Sequence, residues 1–516
     1  MKFSIVIRAD ASLQIGGGHI MRTLALAEEL RRKEIDVRYV CRDLRGNLCS
    51  IIEQAGFPVH LLPALPQQYF PAASEPTHAK WLETSWEIDA QQTAYAIKSS
   101  VQKADWLIVD HYSLAAPWET ALRTHAKRIM VIDDLADRPH NCDLLLDQTF
   151  TENASARYER LIEKTPLLLG PKFALLRREF YQRRKTLSAR SGALKTILIF
   201  FGTVDASNQT IKAIEAIRLL RASDLSVHVV VGTTNPHREK IRAECEDMPN
   251  VHFQSPAENL VELMATADLA IGAAGTTSWE RCCLGLPAIV VQLAENQKLI
   301  CEKLGVAGAI LFQGAKENVS AENLAGTIEE LRHQPEKLRA ISQRAWEITD
   351  GWGAQRVACW LGPLRLSRAT LDDAKILWEW ANDPSVRQNA FQTEPIPWTA
   401  HLGWMEKKLR SFDTFIWIAR DEEKCIGQMR IDVSGNSASA DVSVSSSHRA
   451  SGRGPELFIK GLREFWKERP DIKVVAQIKK ENQASQKMLK LAGFRTVLST
   501  REDSVQFESN ANEFCS

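Results

Sequence analysis

A histidine that follows three glycines is the first group in this sequence whose type and position suit chemistry. His19 comes directly after Gly16, Gly17 and Gly18, between an apolar run and a segment with helical spacing. Glycines let a backbone approach a ligand closely, and a helix N-terminus attracts phosphate or a developing negative charge. An imidazole there can act as a general base near neutral pH. Taken alone, the loop is equally compatible with a plain turn that carries a surface histidine.

Two further glycine-rich loops have the composition of phosphate-binding loops. Gly275 precedes a helical segment that contains Glu280 one turn later, and its backbone N–H groups can cradle a diphosphate. The other loop, from Arg449 to Gly454, precedes a helix predicted to begin at Pro455, where a missing N–H group is tolerated. A turn with an ordinary surface glutamate is the alternative interpretation at Glu280.

The elements around the first two loops alternate between strands and helices. Apolar strand-like runs at 3–7, 36–40, 106–110 and 129–133 flank segments with helical spacing, and the pattern restarts at 196. Such alternation predicts parallel sheets covered by helices. Two doubly wound Rossmann-like halves in tandem place a ligand cleft between them, at the carboxyl ends of their strands.

The last part of the chain has a different pattern. A long helical segment ends near residue 361, and strands at 414–419, 426–433 and 440–445 then follow two helical segments. This pattern predicts a separate α/β domain with a mostly antiparallel sheet. The predicted divisions, with a basic connection at 177–195 between the first two lobes, are 1–180, 181–362 and 363–505, followed by a tail at 506–516.

Composition narrows the class of protein. The chain has 516 residues, 44% of them apolar and 25% charged, with a formal net charge of +1. These values are typical of a soluble multidomain protein and favour neither nucleic acid nor a membrane as a partner. No apolar run approaches the roughly 20 residues of a membrane helix. The ten scattered cysteines form no Cys-x-x-Cys pair, which favours a reducing cytoplasm. The oligomeric state is not predicted.

Motifs in the first 350 residues resemble one enzyme family. The segments 8–12 and 15–22, followed by 109–112, 132–134 and 142–147, resemble the UDP-2,4-diacetamido-2,4,6-trideoxy-beta-L-altropyranose hydrolases of the pseudaminic acid pathway. Members have the two-lobed GT-B fold and cleave the anomeric C–O bond without a metal. The resemblance implies that His19 is the base that activates water, and that Asp10 orients it or touches the sugar.

The same resemblance implies a set of substrate contacts in both lobes. Glu280 corresponds to a glutamate that binds the two ribose hydroxyls, and the Gly275 loop would hold the diphosphate. For His111 and Tyr112 a structural role is equally compatible with the sequence. The implied substrate-binding residues are Gly16, Gly17, Gly18, Arg22, His111, Tyr112, Arg177, Gly202, Gly275, Thr276, Thr277, Glu280, Asn296 and Gln297.

Two features of these motifs limit what the resemblance implies. The family often has a second glycine after Gly202, where this chain has Thr203, and this puts backbone phosphate contacts at that loop in doubt. The adjacent Asp133 and Asp134 invite a metal hypothesis. However, neighbouring side chains on a strand point in different directions, so helix capping or an arginine partner is favoured and no metal is expected.

The third loop resembles the acetyl-CoA loop of GNAT acetyltransferases. It is followed at the right distance by a second signature, Asn482 with Ser485, before a helix that ends in Gly493-Phe494. The resemblance covers about residues 363–500 and implies acetyl-CoA as the co-substrate. No tyrosine follows Phe494 to protonate the departing thiolate, and no base is assigned. The implied cofactor-binding residues are Val444, Arg449, Gly452, Arg453, Gly454, Asn482 and Ser485.

The two resemblances together predict a bifunctional enzyme. The C-terminal domain would acetylate the 4-amino group of a UDP-linked amino-sugar, and the N-terminal lobes would then release UDP from the product. The alternatives are a GT-B glycosyltransferase that passes the sugar to an acceptor and a non-catalytic module that only binds a nucleotide sugar. Intact loops at Gly16 and Gly275, with His19 and Glu280, argue against the binding module.

Overall fold

The computed structural model describes residues 3–64, 69–72, 75–163, 165–255, 259–362, 364–421, 424–449, 453–499 and 501–511. The chain divides into two compact units, residues 1–358 and 359–516. Nine cysteines among the described residues are free thiols. No helix in this described part of the chain is long and apolar enough to cross a membrane.

The first lobe of the first unit is a parallel sheet in the order β3-β2-β1-β4-β5-β6-β7. The strand β1 is buried along its whole length because helices cover both faces of the sheet. Its strands are β1 Ser4–Ala9, β2 Asp36–Arg42, β3 Val59–Leu62, β4 Trp106–Asp110, β5 Ile129–Ile132, β6 Leu144–Asp147 and β7 Leu167–Leu169. Its helices are α1 Gly18–Arg32, α2 Cys49–Gln54, α3 Trp86–Val101 and α4 Ala116–Leu122, with 3₁₀ turns at Ala79–Leu82, Ala154–Tyr158 and Pro171–Phe173.

The second lobe repeats the architecture with a six-stranded parallel sheet in the order β10-β9-β8-β11-β12-β13. Its strands are β8 Thr196–Phe200, β9 Ser226–Val230, β10 Val251–Gln254, β11 Leu269–Ala273, β12 Ala288–Gln292 and β13 Leu311–Ala315. The helices that follow α5 Arg178–Arg184 are α6 Gln209–Leu220, α7 Arg238–Glu246, α8 Leu260–Thr266, α9 Thr276–Cys283, α10 Lys298–Val306, α11 Ala321–Arg332, α12 Pro335–Ile348 and α13 Gly353–Leu361, with a 3₁₀ turn at Glu295–Gln297.

The predicted connection at 177–195 is packed against the second lobe. Arg184 on α5 donates hydrogen bonds to the carbonyls of Cys283, Trp346 and Thr349. Arg190 likewise binds four backbone carbonyls of the second lobe, those of Met264, Ala267, Leu284 and Gly285. Because these arginines satisfy carbonyls at helix and loop ends, they fix the connection on the surface of this lobe.

The second unit is a seven-stranded mixed sheet in the order β14-β15-β16-β17-β18-β20-β19. The pair β17 and β18 is parallel, and the other neighbouring pairs are antiparallel. Its strands are β14 Arg365–Arg368, β15 Thr414–Asp421, β16 Lys424–Ser434, β17 Ser437–Val444, β18 Lys473–Lys479, β19 Arg495–Val497 and β20 Ser504–Ser509. Its helices are α14 Ala374–Ala381, α15 Pro384–Asn389, α16 Trp398–Leu409, α17 Arg453–Glu468 and α18 Gln483–Leu491, with 3₁₀ turns at Leu371–Asp373 and Ser446–His448.

Two boundaries differ from those that the sequence predicts. The helix α17 begins at Arg453, two residues before the predicted start at Pro455, because proline fits within the first turn of a helix. The strand β20 continues to Ser509, past the predicted domain end at 505, since its residues pair with β18 and β19. The predicted fold class itself, two Rossmann-like lobes and a mostly antiparallel sheet, agrees with the three sheets described above.

Candidate active site

The loop that carries His19 is shaped by its own backbone. After β1, the hydroxyl of Ser12 accepts hydrogen bonds from the amides of Gln14 and Ile15, and the amide of Gly16 donates to the carbonyl of Ser12 at 2.8 Å. Gly16 has a φ of +79°, which a residue with a side chain rarely adopts. This turn reverses the chain and starts α1 at Gly18, one residue before the histidine.

His19 is held by a carboxylate of the neighbouring strand. Its Nδ1 lies 2.6 Å from Oδ1 of Asp110, the last residue of β4, which pairs directly with Ala9 at the end of β1. An ionised carboxylate only accepts hydrogen bonds, so Nδ1 carries the proton and Nε2 presents a lone pair. Nε2 has no hydrogen-bond partner among the described residues. The pair of His19 and Asp110 therefore has the geometry of an oriented general base.

Arg22 fixes Asp110 from the next turn of α1. Its Nε donates to Oδ2 and its Nη2 to Oδ1 of Asp110, at 2.7 and 2.6 Å, while Nη1 binds Asp134. Burial would raise the pKa of Asp110, but the charges of Arg22 and His19 outweigh it and hold the pKa well below its usual value. Arg22 was predicted to bind substrate, but its side-chain N–H groups donate to carboxylates. Its positive charge keeps Asp110 ionised.

Asp10 was predicted to orient His19 or to touch the sugar, but the hydrogen-bond partner of His19 is Asp110. Asp10 is fully buried, accepts from Arg8 at 2.6 Å and from the amide of Arg42 at 2.7 Å, and lies 3.3 Å from Nε2 of His111. Burial would raise the pKa of Asp10, yet Arg8 and His111 keep it well below its usual value. Asp10 is therefore part of a buried ionic network, because its side chain turns away from His19 toward Arg8.

The side chains of His111 and Tyr112 contact other residues of the first lobe. His111 is 2% exposed, its Nδ1 accepts from the amide of Ser113, and its Nε2 faces Asp10, as expected for the structural alternative. Tyr112 is 7% exposed and donates to Asp134 at 2.9 Å. Its ring meets that of His19 edge-on, with centroids 4.6 Å apart, and so limits the tilt of the imidazole.

The adjacent aspartates have arginine partners. Asp133 binds Arg138 and accepts from the amides of Leu135 and Ala136, whereas Asp134 binds Arg22. Within the described ranges, no group of three or more histidine, cysteine, aspartate or glutamate side chains is arranged to hold a metal ion. Both aspartates thus hold the loops around His19 in position.

The second lobe presents its glycine loop to the first. Gly275 has a φ of +118° and ends the turn from β11 into α9, which begins at Thr276. A Cβ added to Gly18 would lie 3.6 Å from Oγ1 of Thr276, and one on Gly17 would lie 3.2 Å from Oγ1 of Thr203. The N-termini of α1 and α9 therefore face each other across the cleft, within reach of one small anionic group.

The three helix N-termini near the cleft differ in one respect. No side chain caps the N-terminus of α1 or α9. At α6, by contrast, the carboxylate of Asp205 accepts from the amides of Gln209 and Thr210 at 3.0 and 2.8 Å. Backbone N–H groups that already donate to a carboxylate of the same helix end are not free to bind a phosphate. This contrast disfavours phosphate binding at the Gly202 loop, as its missing second glycine indicates.

Glu280 is a partly exposed carboxylate one turn into α9. Across the described residues, its side chain makes no hydrogen bond or ion pair. Burial raises the pKa of Glu280, against the opposing charges of Arg177 and Arg281. A partly desolvated carboxylate without a partner is suited to accept hydrogen bonds from hydroxyl groups of a ligand.

Three further residues that were predicted to bind the substrate are Asn296, Gln297 and Arg177. Asn296 is exposed, while Oε1 of Gln297 accepts from the amide of Leu293 at 2.9 Å and so holds the turn before α10. Arg177 is half-buried, forms an ion pair with Glu179 and lies over the ring of Phe180. Asn296 and Arg177 thus keep groups available for a ligand, whereas Gln297 has a local structural contact.

The candidate cofactor site of the second unit lies where two strands separate. The parallel pairing of β17 with β18 ends at Ser439 and Val475, although β17 continues to Val444. Beyond these residues the two strands are no longer paired, and the helix α17 follows β17 along the chain with Gly454 in its first turn. The donors present therefore fit a pyrophosphate group.

Several predicted cofactor residues have other contacts. Arg453 is 1% exposed and binds Glu456 and the carbonyl of Gly362, so its side chain lies in the core. Arg449 donates to Asp383 and to the carbonyl of Val444, at 2.9 and 3.1 Å. Gly452 lies outside the described residues.

The second signature of this unit is a helix cap. The side chain of Asn482 accepts from the amide of Ser485 at 3.1 Å, so it acts as the N-cap of α18. Ser485 is placed in the first turn of that helix. Both residues consequently define where α18 begins, close to the end of β18.

Sequence reasoning missed Asp110 as the partner of His19. The residue stands in the quoted segment 109–112, but the order β1-β4 in the sheet, which brings it to His19, is not visible along the chain. A polar residue at the end of a strand otherwise made of buried apolar residues was the available signal. For Asp134, the sequence suggested a helix cap or an arginine partner but did not identify Arg22 as that partner.

Comparisons with known proteins agree with this architecture. Residues 196–351 match the family described as glycosyltransferase family 28 C-terminal domain, and residues 363–495 match the acetyltransferase (GNAT) domain. A crystal structure of MurG from Acinetobacter baumannii superposes with a TM-score of 0.50 and 17% identity, covering 70% of this chain and 99% of MurG. The chain thus has a pair of lobes with a GT-B-type fold, followed by a segment that matches the GNAT family model.

Two relatives with similar sequences show which known proteins the chain resembles. Over 427 residues the chain is 24% identical to the uncharacterized protein MJ1062 of Methanocaldococcus jannaschii, covering 81% of this chain and 80% of that protein. Over 262 residues it is 28% identical to the UDP-2,4-diacetamido-2,4,6-trideoxy-beta-L-altropyranose hydrolase of Campylobacter jejuni, covering 50% of this chain and 81% of that protein. The predicted resemblance, a hydrolase-like GT-B unit fused to a GNAT domain, is confirmed.

Proposed function

We propose that the first unit hydrolyses UDP-2,4-diacetamido-2,4,6-trideoxy-beta-L-altrose to the free sugar and UDP. The observation that carries this proposal is the pair of His19 and Asp110, whose free Nε2 lies on a loop facing the uncapped N-terminus of α9. The 28% identity to the Campylobacter jejuni hydrolase supports the choice of substrate.

The second lobe binds the UDP part. The diphosphate lies between the N-termini of α1 and α9, where free N–H groups and two positive dipole ends meet. Glu280 accepts hydrogen bonds from the ribose hydroxyls. This arrangement holds the anomeric carbon on the side of the cleft where His19 stands.

His19 then activates one water molecule. Nε2 accepts a proton from the water as its oxygen forms a bond to the anomeric carbon, and the C–O bond to UDP breaks with the electron pair staying on UDP. UDP leaves as a stabilised anion, so no acid carboxylate and no metal ion is required. Attack opposite the leaving group inverts the anomeric configuration. Asp110 keeps the imidazole in the reactive tautomer and stabilises its protonated form.

The second unit acetylates an amine of the same sugar before UDP is removed. Acetyl-CoA, when bound, supplies the acetyl group, and its pyrophosphate would lie at the N-terminus of α17 next to Gly454. The GNAT family match at residues 363–495 supports acetyl-CoA as the co-substrate. We assign the acceptor as the 4-amino precursor, because an acetylated product would then be the substrate of the first unit.

An NMR time course tests both activities in one sample. With acetyl-CoA and the UDP-linked 4-amino sugar, we expect free diacetamido sugar and UDP without any added acceptor. In water enriched with ¹⁸O, the label should enter the sugar and not UDP, as C–O cleavage requires. EDTA should leave the rate unchanged. UDP release that needs an added acceptor would instead identify a glycosyltransferase, and UDP binding without turnover would identify a binding module.

Substitution of the base tests its role directly. His19→Ala should lower the rate of UDP release by about 10²–10⁴-fold, the usual contribution of general base catalysis. His333→Ala removes an exposed histidine of the second lobe and serves as the matched control. Unchanged UDP release in His19→Ala would refute the assigned role.

A further inference from the structure

An aromatic cluster beside His19 has no role in the mechanism above. It consists of His78, Trp81 and Tyr112, which we call the aromatic platform. The rings of His78 and Trp81 lie 4.3 Å apart, and their centroids are 5.7 and 5.9 Å from that of Tyr112. Since the centroid of Tyr112 lies 4.6 Å from that of His19, the platform is a series of ring contacts that begins at the base.

The backbone under the platform is firmly anchored. Trp81 lies on the 3₁₀ turn Ala79–Leu82 and His78 directly precedes this turn, in which Ala79 and Leu82 are 5% and 1% exposed. The hydroxyl of Ser113 donates to the carbonyl of His78 at 2.6 Å, which ties this turn to the loop after β4. The turn is thus fixed in the core and presents its two aromatic side chains in a defined position.

His78 and Trp81 keep accessible surface where a ligand would arrive. Both are only partly buried, whereas Tyr112 is 7% exposed. Both rings contact Tyr112, which in turn contacts the imidazole of His19. Aromatic faces gain free energy by covering apolar surface, which on a sugar means ring C–H groups, deoxy methyl groups and acetamido methyl groups.

We propose that the faces of His78 and Trp81 contact the sugar ring and select nucleotide sugars that carry methyl and acetamido groups over fully hydroxylated ones. This inference rests on the proposed hydrolysis, because the contact lies beside the attacked carbon. It adds a specificity-determining surface on the first lobe to the UDP-binding groups on the second. Trp81 supplies the larger part of the contact, since its ring has the larger area.

Steady-state kinetics with Trp81 variants test this proposal. Trp81→Ala should raise KM for the diacetamido UDP-sugar about tenfold or more, while the Kd of UDP alone, measured by calorimetry, stays unchanged. Trp81→Phe should restore most of the affinity, because it keeps an aromatic face. Tyr95→Ala removes a 68% exposed tyrosine of the same lobe and should behave as wild type. An unchanged KM in Trp81→Ala, or an equal loss of UDP affinity, would overturn the proposal.

A binding experiment separates failure of this proposal from failure of the proposed function. Saturation-transfer NMR with UDP-N-acetylglucosamine needs no turnover, so it remains informative even if the wild-type protein hydrolyses no UDP-sugar. Saturating the aromatic protons should label the acetamido methyl signal in the wild type and much less in Trp81→Ala, with the uracil signals unchanged. Equal labelling of the methyl group in both proteins would refute the platform, whatever the outcome of the kinetic assay.

Discussion

Asp10 and Asp110 are both buried carboxylates at the ends of neighbouring strands, but they have different hydrogen-bond partners and therefore different roles. Asp110 contacts His19 and is fixed by Arg22. Asp10 is bound by Arg8, which also binds Asp89 through two donors. The same substitution at the two positions therefore separates catalysis from stability.

Asp110→Asn should lower kcat for UDP release by about 10³–10⁴-fold, because the amide no longer favours the reactive tautomer or its protonated form. UDP release at saturating substrate measures this effect. Asp10→Asn is the matched control. It should cost about 1–3 kcal/mol of stability by weakening a buried pair, while kcat per folded molecule stays within about tenfold. Equal losses of kcat in both variants would contradict the assignment.

His140 makes the stability of the first unit depend on pH. Burial alone would lower the pKa of His140, but the carboxylates of Asp133 and Glu119 raise it to about 8. Because the folded pKa lies above the ordinary 6.5, the stabilising contribution is complete below about pH 6.5 and is lost as the pH rises through about 8. The free energy of unfolding should fall by about 2 kcal/mol over this window.

Urea unfolding at several pH values between 6 and 9 checks this expectation. His140→Gln should remove this part of the slope. In contrast, His333→Gln, which changes an exposed histidine, should retain it. A slope that is the same in wild type and His140→Gln would show that another group is responsible.

Helices α1, α6 and α9 all begin near the cleft, but only α6 is capped by a side chain of its own, Asp205. The proposed diphosphate site therefore depends on Gly275 and not on Gly202. Both glycines have positive φ values, +118° and +95°, and a Cβ on either would meet no other atom within 4 Å. They form a matched pair for substitution.

Gly275→Ala should weaken UDP binding by about 10–100-fold, because a strained turn no longer aims the amides of α9 at the diphosphate. Gly202→Ala should cost a similar amount of stability, about 1–2 kcal/mol for a left-handed residue with a side chain, without weakening UDP binding. Calorimetric titration with UDP and thermal unfolding measure the two effects. Comparable losses of affinity would place the diphosphate at both loops.

The two compact units have separate hydrophobic cores. In the second unit, Phe458 is 1% exposed and packs against Phe494, with ring centroids 5.3 Å apart. In the first lobe, Leu145 is fully buried in a core of that lobe alone. Because neither core includes residues of the other unit, the two activities should respond separately to core damage.

Phe458→Ala should cost the second unit about 3–5 kcal/mol and reduce acetyl transfer, while hydrolysis of a pre-acetylated UDP-sugar stays unchanged. Leu145→Ala should have the reverse effect, at a cost of about 2–5 kcal/mol. Separate assays of the two reactions, with calorimetry of the unfolding transitions, measure both. Loss of hydrolysis in Phe458→Ala would show that the units depend on each other.

Periodicity along the chain was sufficient for the architecture. Alternating strands and helices predicted the two parallel sheets, and the loops at Gly16 and Gly275 were predicted at strand ends, where they occur. The start of α17 was predicted two residues too late, and the predicted domain end at 505 falls within β20. Such ends depend on which neighbouring strand or helix completes the hydrogen bonding, and a linear pattern contains little of that information.

Side-chain partners within the site were the part that the sequence did not reveal. His19 and Asp110 are 91 positions apart, and Trp81 reaches the base only through Tyr112. The side chain of Arg453, a residue of the predicted cofactor loop, points into the core instead.

The sequence by itself determined the local features of this protein: glycine loops that start helices, buried strands, and a histidine at a helix N-terminus. Only the tertiary structure decided that Asp110, rather than Asp10, holds His19 and that the ring of Tyr112 meets its imidazole edge-on. The physical reason is that backbone preferences and hydrophobic periodicity act over a few residues. Partner choice, in contrast, follows from strand order and side-chain direction, which packing of distant segments sets.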